Sequence, residues 1–293
     1  MRLLITGANG QVGHSLVQQL QHRPDTTLLA LDRQGLDITN RAAVLAAVEA
    51  FRPDFIFNAA AYTAVDKAES EPEAAAAINQ HGARHLAEAA HAVGAVMLHI
   101  STDYVFDGQS HEPYREDDAT APQGVYGQSK LAGEQAVQTA CPRSIILRTA
   151  WVFGEHGHNF VKTMLRLGAQ RDTLGIVADQ HGAPTYAGDI AAALIRIAEQ
   201  LAAGQSTAYG VYHFSGSPYV SWHQFAAAIF EQAQAQGLLA VVPTLNAITT
   251  ADYPTPAKRP ANSCLNLNKI QTAFGIAPSN WQAALADLKP YLT

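Results

Sequence analysis

A tyrosine and a lysine four residues apart, Tyr126 and Lys130, have the types and spacing that suit proton transfer. If their segment is helical, the two side chains lie one turn apart on the same face. A cation beside a phenol favours the phenolate and lowers the tyrosine pKa toward working pH, so the phenol becomes a usable acid or base. Such pairs also arise by chance on surface helices. Whether this one is catalytic therefore depends on the elements that surround it.

A dinucleotide-binding turn is predicted at the start of the chain. A short apolar strand, Leu3–Ile5, leads into glycines at positions 7, 10 and 13, and an amphipathic helix pattern follows. In this arrangement Gly7 permits a tight turn, Gly10 lets the backbone approach a pyrophosphate and Gly13 allows close helix packing. The helix N-terminus adds unpaired N–H groups and a positive dipole end. The alternative is a glycine-rich turn that binds nothing.

The end of the second predicted strand bears on the choice of cofactor. Residues 27–31 are followed by Asp32 and Arg33. An acidic residue roughly twenty positions past the glycines usually binds the ribose hydroxyls of NAD(H), whereas an arginine there can accept the 2′-phosphate of NADP(H). Both residues are present, so the sequence leaves NADH and NADPH open. Asp37 and Ile38 follow on a loop that could pass under the adenine, although Asp37 could equally be a turn or cap residue.

Strands and helices alternate through residue 154, which predicts a parallel sheet wound on both faces, a Rossmann-type α/β fold. Beyond 154 the pattern loosens into helices with irregular loops between them. We therefore predict a dinucleotide-binding domain at 1–154. Residues 155–293 are predicted to form mainly a smaller, discontinuous α/β substrate lobe, with some segments returning to the first domain.

Two further groups of residues are candidates for substrate binding. Ser101 and Thr102 end the fourth predicted strand, where their hydroxyls could bond a substrate carbonyl or simply their own backbone. Lys258 and Arg259 lie in the proline-rich stretch 254–260 and are the best remaining cations for an anionic substrate. A solvated linker is the alternative interpretation of that stretch. A solvated loop is likewise the alternative interpretation of the charged residues 64–71.

The composition excludes several classes of partner and location. The formal net charge of 293 residues is -6 with no basic block, so neither nucleic acid nor an anionic membrane surface is expected as the main partner. Cys141 and Cys264 are predicted to be free thiols in a reducing compartment. The sequence also shows neither a signal-peptide pattern nor an apolar run of membrane-spanning length, so a soluble cytoplasmic protein is expected. Its histidines lack metal-ligand spacing, and His156 and His158 are predicted to face solvent.

Several motifs together resemble the extended short-chain dehydrogenase/reductase family, which acts on nucleotide sugars. They are the Thr-Gly-x-x-Gly-x-x-Gly start, Asn-Ala-Ala after the third strand, Ser-Thr-Asp after the fourth, and Tyr-x-x-x-Lys. Longer stretches in both halves of the chain are similar to one reductase of that family: residues 58–69, 101–108, 179–185 and 254–260. The resemblance therefore covers the whole chain.

The resemblance implies that a nicotinamide hydride adds to a ketone carbon of a dTDP-sugar. It implies that Tyr126 protonates the new alkoxide, that Lys130 lowers the Tyr126 pKa and holds the nicotinamide ribose, and that Thr102 hydrogen-bonds the sugar oxygen. Asp103 and Trp151 would contact the sugar, although Trp151 could instead be a core aromatic. The residues expected to line NADH or NADPH are Gly10, Gln11, Val12, Asp32, Asp37, Ile38, Ala61, Tyr62 and Thr63.

The family resemblance also leaves alternatives open. Some members bind Mg2+ at a dimer contact through glutamates, one of them early in the first helix. Here Ser15 stands near that point with His14 before it, so the sequence does not support magnesium and leaves a homodimer open. Another sugar-nucleotide reductase or epimerase is the nearest rival interpretation. A non-catalytic subunit is the other, because a regulatory partner of methionine adenosyltransferase has the same fold.

Overall fold

The computed structural model describes residues 1–205 and 209–292. Its strands, in chain order, are β1 (Arg2–Thr6), β2 (Thr27–Leu31), β3 (Phe55–Asn58), β4 (Val96–Thr102), β5 (Ser144–Thr149), β6 (Val152–Phe153), β7 (Thr173–Val177), β8 (His181–Gly182), β9 (Thr185–Tyr186), β10 (Gly210–His213), β11 (Val220–Ser221) and β12 (Thr244–Ile248). Its α-helices are α1 (Gln11–Leu20), α2 (Arg41–Phe51), α3 (Val65–Ala68), α4 (Pro72–Ala76), α5 (Ala83–Val93), α6 (Val125–Ala140), α7 (Phe160–Gly168), α8 (Ala187–Ala202), α9 (Trp222–Ala235), α10 (Asn268–Phe274) and α11 (Trp281–Ala284).

A six-stranded parallel sheet forms the centre of the molecule, in the order β2-β1-β3-β4-β5-β10. The strands are apolar on both faces because helices cover both. Leu3 and Ile5 pack on the side of α1 and α8, whereas Leu4 and Ile56 pack on the side of α2, α5 and α6. The predicted doubly wound α/β fold is therefore confirmed. Its strand order reverses between β1 and β3, and ligands of such sheets bind at that point, outside the carboxyl ends of the strands.

The residues after 154 divide between the sheet and a separate core. β10 extends the sheet beyond β5, and α8 packs against α1. The second core lies around α7 and α9 and includes Phe153, Phe225 and Trp281. Short strand pairs, β6 with β9, β7 with β12 and β8 with β11, complete this part. The division at residue 154 stays a prediction, because chain from both sides of it builds the same sheet.

Three local details are not visible in the hydrophobic pattern. The charged residues 64–71 contain a short helix, α3, and are not only a solvated loop. A π-helical segment, Ala77–Gly82, lies between α4 and α5. α6 begins at Val125, and the Glu69 carboxylate accepts a hydrogen bond from the Val125 N–H at 2.9 Å. The start of α6 depends on Glu69, which is distant in sequence, and the π-helical segment depends on a change in the spacing of backbone hydrogen bonds. Hydrophobic periodicity does not report either of these causes.

None of the helices within residues 1–205 and 209–292 is long and apolar enough to cross a membrane.

Replacement of Gly133 by alanine tests the close contact between α6 and the π-helical segment. A Cβ at Gly133 would overlap the carbonyl oxygen of Asn79, and backbone cannot rotate away as a side chain can. We expect Gly133→Ala to lower the free energy of unfolding by about 1–3 kcal/mol, measured by urea denaturation. Gln138→Ala, at an exposed position of the same helix, is the control and should change it by less than about 0.5 kcal/mol. Equal effects of the two substitutions would contradict the packing described here.

Candidate active site

The glycine turn after β1 lies where the strand order reverses and packs directly against the chain leaving β3. Gly7 has a φ of +72°, and a Cβ there would lie 2.5 Å from the Ala60 nitrogen. A Cβ at Gly13 would overlap the carbonyl oxygen of Gly7. Only glycine fits these two positions without strain. The tight turn and the close helix packing expected of Gly7 and Gly13 are thus present.

The start of α1 has the properties of an anion site. Gly10 is its N-cap residue in an extended conformation, and within the described residues no side chain caps this helix and no acidic residue lies in its first turn. The first N–H groups of a helix have no intrahelical partner, and the helix dipole makes this end positive. The Gly7–Gly13 backbone therefore fits a dinucleotide pyrophosphate. Val12 is itself largely buried in the core.

Asp32 ties the end of β2 to the glycine turn. Its carboxylate accepts hydrogen bonds from the Asn9 side-chain amide at 2.6 Å and from the backbone N–H groups of Gln34 and Gly35 at 3.0 and 2.9 Å. The neighbouring Arg33 side chain is exposed. Asp32 is thereby fixed beside the turn and Arg33 is free to reach a 2′-phosphate. Asn9 had no sequence signal beyond its place among the glycines.

Asp37 and Ile38 occupy the next loop with different surroundings. Asp37 accepts hydrogen bonds from the Thr39 N–H and hydroxyl, which hold the pKa of its carboxyl below its usual value. This is the geometry of a turn residue, one of the two interpretations of Asp37. Ile38 is only 5% exposed and packs against Gly82, while its carbonyl oxygen accepts a hydrogen bond from His85. The Ile38 side chain is therefore held in the core, and a cofactor contact of Ile38 stays a prediction that would involve its backbone.

Asn79, in the π-helical segment, fixes the loop Ala61–Thr63 after β3. Its side-chain oxygen accepts a hydrogen bond from the Tyr62 N–H at 2.8 Å, and its amide donates to the Tyr62 carbonyl oxygen and to the Ser129 hydroxyl. The loop is thereby linked to α6. The Tyr62 hydroxyl donates to Glu71 at 2.8 Å. Sequence reasoning missed Asn79 because nothing in an alanine-rich helical stretch marks a π turn, although such turns often lie at functional sites.

The structure brings Tyr126 of α6 together with Thr102 at the end of β4. The Thr102 hydroxyl lies close enough to the Tyr126 oxygen to favour the phenolate form, and it donates a hydrogen bond to the Asp103 carboxylate at 3.0 Å. The Tyr104 ring meets the Tyr126 ring edge to face, with centroids 5.4 Å apart. Ser101 points to the opposite face of the sheet and is buried. Of the two candidate hydroxyls, Thr102 is therefore the one that contacts the tyrosine.

The pKa of Tyr126 departs from its usual value in the direction opposite to the one expected from sequence. Burial raises this pKa, the Asp103 charge adds to the rise, and the Thr102 hydrogen bond partly opposes it. Lys130 does not reverse the shift: its ammonium donates to the Ile100 carbonyl oxygen at 2.7 Å, and the residue is 2% exposed. A raised pKa keeps the phenol protonated at neutral pH. That is the form in which it can donate a proton.

Burial also shifts the pKa of the groups beneath Tyr126. It lowers the pKa of Lys130 to about 8, while the Glu134 charge acts in the raising direction. Glu134 is itself held by two hydrogen bonds from the buried Arg148 guanidinium, at 2.9 and 2.7 Å. His99, whose pKa burial and the Lys130 charge hold well below its usual value, is neutral. The lysine thus lies against the backbone of β4, two residues before Thr102.

Trp151 follows β5 in an unusual backbone conformation. Its φ is +49°, a region that bulky residues rarely adopt and that costs about 1–3 kcal/mol. Its indole stacks on that of Trp222, with centroids 3.5 Å apart and planes inclined by 11°. Trp151 remains partly exposed. It is therefore neither a fully buried core aromatic nor an aromatic without a packing partner. Trp222 was not a candidate from sequence, because an aromatic at a helix start normally belongs to the core.

The proline-rich stretch 254–260 is fixed against the first half of the chain. Arg259 forms an ion pair with Asp66 at 2.6 Å, and Asp66 also accepts the Ala257 N–H. Arg259 lies 3.4 Å from the Tyr104 hydroxyl, and the exposed Lys258 ammonium lies 3.3 Å from the Gln123 side-chain oxygen. Both cations border a shallow cleft with Tyr104, Phe106, Asp107, Gln123, Gly124 and Pro260. They therefore lie beside the Tyr126 site, with the Arg259 charge partly balanced by Asp66.

The loop after β6 covers the glycine turn, which corrects the expectation for His156. His156 donates to the Asn9 carbonyl oxygen at 2.9 Å and stacks on His14, with ring centroids 4.1 Å apart. Asn159 donates to the Gln11 side chain at 3.1 Å. His156 therefore contacts the first half of the chain instead of facing only solvent, whereas His158 is exposed. Within residues 1–205 and 209–292 no group of three or more His, Cys, Asp or Glu side chains could hold a metal ion.

Comparison with known proteins places the chain in a family. The model of the RmlD substrate binding domain family matches residues 1–291. The chain belongs to this family. It is 57% identical over 290 residues, 99% of each chain, to the dTDP-4-dehydrorhamnose reductase of Aggregatibacter actinomycetemcomitans. The resemblance to the extended short-chain dehydrogenase/reductases is confirmed by these similarities.

Solved structures of RmlD-family relatives share the fold over nearly the whole chain. A crystal structure of a dTDP-4-dehydrorhamnose reductase from Clostridium acetobutylicum superposes with a TM-score of 0.90 at 39% identity, covering 98% of this chain and 97% of that one. The Bacillus anthracis dTDP-4-dehydrorhamnose reductase, solved in complex with NADP, gives 0.88 at 39% identity, covering 97% and 96%.

Asp103 gives the site a measurable pH dependence of stability. Burial raises the pKa of this carboxyl from 3.8 to about 6, and hydrogen bonds with Ser263 and Thr102 oppose the rise. Because the folded state binds the proton more tightly than the unfolded state, this contribution is present below pH 3.8 and is lost as the pH rises through about 6. Relative to Asp103→Asn, the wild type should lose about 2–3 kcal/mol of stability across this range, measured by urea denaturation.

Asp107→Asn is the matched control, because the Tyr114 hydrogen bond lowers the pKa of Asp107. The difference in free energy of unfolding between the wild type and Asp107→Asn should change with pH in the direction opposite to that for Asp103→Asn. A flat difference for Asp103→Asn would show that Asp103 is not desolvated as the structure indicates.

Proposed function

We propose that this chain catalyses the NAD(P)H-dependent reduction of the 4-keto group of dTDP-4-dehydro-L-rhamnose to dTDP-L-rhamnose. This is the last step of dTDP-rhamnose biosynthesis and supplies cell-surface polysaccharides. The observation that carries the proposal is the placement of the Thr102 hydroxyl beside the Tyr126 phenol at the carboxyl edge of a parallel sheet with a glycine turn suited to a dinucleotide. It occurs in a chain 57% identical to a reductase of that name.

The proposed cofactor contacts lie in the glycine turn after β1, at the start of α1 and in the neighbouring loops. Bound NADH or NADPH would supply the hydride that adds to the ketone carbon. The glycine turn and the start of α1 would hold the pyrophosphate, and Asp32 or Arg33 the adenosine ribose or its phosphate. Lys130 would hold the nicotinamide ribose. The remaining proposed cofactor contacts are Gly10, Gln11, Val12, Asp37, the Ile38 backbone, Ala61, Tyr62 and Thr63.

Tyr126 is the proposed proton donor. An alkoxide formed at the sugar ketone is a stronger base than an ordinary phenolate, and the protonated phenol is the form that can transfer a proton to it. Thr102 lies beside Tyr126 and would turn its hydroxyl proton from Asp103 to the ketone oxygen, which aligns the acid with its acceptor. The buried Lys130 ammonium places a positive charge near the developing negative charge, where the low dielectric strengthens its effect. Each residue therefore acts on the same oxygen.

The dTDP-sugar would lie between the end of β4 and the loop 254–260. Asp103 and Trp151 are proposed sugar contacts, and Lys258 and Arg259 proposed contacts of the diphosphate. The two cations border one cleft beside Tyr104, whose ring packs on Tyr126. In this assignment residues 1–154 bind the dinucleotide. Residues 155–293 mainly bind the sugar nucleotide, with β10 and α8 returning to the first domain.

Assembly and location are proposed on separate grounds. Cys141 and Cys264 are free and buried among the described residues, which supports a reducing, cytoplasmic compartment. A homodimer is proposed from the family resemblance alone, and multi-angle light scattering of the purified protein measures it. Magnesium is not part of the proposal, because Ser15 stands where family members carry a glutamate.

The reaction itself is tested by mixing the protein with dTDP-4-dehydro-L-rhamnose and either reduced cofactor. We expect stoichiometric oxidation of NADPH or NADH, followed by absorbance, and formation of dTDP-L-rhamnose. Comparison of kcat/KM for the two cofactors determines the preference that Asp32 and Arg33 leave open. An epimerase would interconvert its sugar without net consumption of the reduced cofactor. Turnover of a different nucleotide sugar, with none of this one, would disprove the assignment.

Replacement of Tyr126 by phenylalanine tests the proton donor. The substitution removes one hydroxyl from a packed ring, so the fold and the affinity for NADPH should stay nearly unchanged. We expect kcat to fall by about 10²–10⁴-fold, the contribution typical of a positioned general acid. Tyr104→Phe is the matched control, because it removes a neighbouring hydroxyl that contacts Arg259 instead of Thr102. Full activity of the Tyr126 variant would exclude its role and favour a binding subunit.

A further inference from the structure

Trp151 lies at the corner where the chain leaves the central sheet for the second core. β5 ends at Thr149, and β6, which begins at Val152, pairs with β9 of the later part of the chain. The backbone at this corner is in the left-handed region, with a φ of +49° at Trp151. Glycine or asparagine would adopt this conformation at lower cost than tryptophan. A tryptophan here needs surroundings that fix its conformation.

Three contacts fix Trp151. Its indole stacks on Trp222, with centroids 3.5 Å apart. The edge of the indole lies over Gly182, where a Cβ would fall 2.6 Å from Cε2 and 2.8 Å from Nε1. The Trp151 carbonyl oxygen accepts a hydrogen bond from the Thr185 N–H at 3.1 Å. Backbone, ring face and ring edge are thus each held by a different residue of the later part of the chain.

Gly182 and Trp222 belong to one structural unit. β8, which contains Gly182, pairs with β11, and Trp222 follows β11 as the first residue of α9. Ser221 caps this helix through a reciprocal pair of hydrogen bonds with Gln224, so the position of Trp222 is fixed from its N-terminal side. The Phe160 ring packs on Trp222, with centroids 4.7 Å apart. The surface that receives the indole is therefore held by contacts within the later part of the chain.

We propose that Gly182 and Trp222 are positioning residues that hold the Trp151 indole in place for the sugar of the substrate. The inference rests on the proposed function, in which Trp151 contacts the dTDP-sugar. A strained residue persists only where its surroundings over-determine it, and such residues cluster at ligand sites. A core aromatic would be buried, whereas Trp151 keeps exposed surface beside the end of β5, one strand from Thr102. Neither Gly182 nor Trp222 needs to touch the substrate.

Replacement of Trp222 by leucine removes the stacked ring and keeps an apolar side chain. Because an oriented indole binds ground state and transition state alike, its loss should raise KM for dTDP-4-dehydro-L-rhamnose with kcat nearly unchanged. We expect a rise of about tenfold, the upper range for an aromatic pair. The dissociation constant for NADPH, measured by fluorescence titration, should not change. Trp222→Phe should restore most of the sugar affinity, because it keeps an aromatic face.

Gly182→Ala gives an independent test, because it leaves both tryptophans in place and displaces the indole edge through the added methyl group. It should raise the same KM. Near-ultraviolet circular dichroism reports the stack directly, since stacked indoles give a coupled signal. That signal should disappear in Trp222→Leu and change in Gly182→Ala. Phe160→Leu is the matched control: it removes an aromatic that packs on Trp222 but leaves the Trp151 stack, and its KM should stay near that of wild type.

The outcomes separate this inference from the proposed function. If the wild type does not turn over dTDP-4-dehydro-L-rhamnose, the proposed function fails. If the wild type is active and Trp222→Leu loses the stacked signal with an unchanged KM, the positioning role is wrong. If Phe160→Leu raises KM as much as Trp222→Leu, general loosening of the second core explains the effect and the inference is also wrong. A selective KM rise in Trp222→Leu and Gly182→Ala supports it.

Discussion

Direct contact of backbone with backbone is the constraint on which the site depends. A Cβ at Gly127 would overlap the carbonyl oxygen of Tyr104, and one at Gly133 would overlap that of Asn79. The two glycines therefore let α6 lie directly against the end of β4 and the π-helical segment. This approach brings the residue before Gly127, Tyr126, to the Thr102 hydroxyl. The glycine turn after β1 likewise packs backbone directly against backbone, at the edge of the sheet where the cofactor is proposed to bind.

Burial then determines the electrostatics that this packing creates. Desolvation raises the pKa of Tyr126 and of Asp103 and lowers that of Lys130, in each case favouring the neutral form. The ordinary account of a Tyr–Lys pair, in which the cation makes the phenol acidic, is not what these contacts produce. Here the protonated phenol is the stable form. The alkoxide that forms on reduction of the ketone would be the base that accepts its proton, and the driving force is the difference between the two pKa values.

The later part of the chain closes the site through contacts with the first part. Arg259 reaches Asp66, and His156 reaches the backbone of the glycine turn. Partly exposed ion pairs contribute little stability, so the pairing of Arg259 with Asp66 matters more for where it holds the loop than for its energy. The stacked pair of Trp151 and Trp222 is a third such contact. Together they place polar and aromatic groups of both parts around one edge of the sheet.

The sequence by itself determined the sheet, the glycine turn and the one-turn spacing of Tyr126 and Lys130. Apolar runs, glycine spacing and the family resemblance are local or linear signals, and they also singled out Thr102, together with Ser101, at the end of the fourth strand. Tertiary structure alone decided the direction of the Tyr126 pKa shift, because desolvation depends on everything packed around the phenol. It also decided the roles of Asn79 and Trp222. A π turn and a stack between distant residues arise from packing, which no spacing in the sequence records.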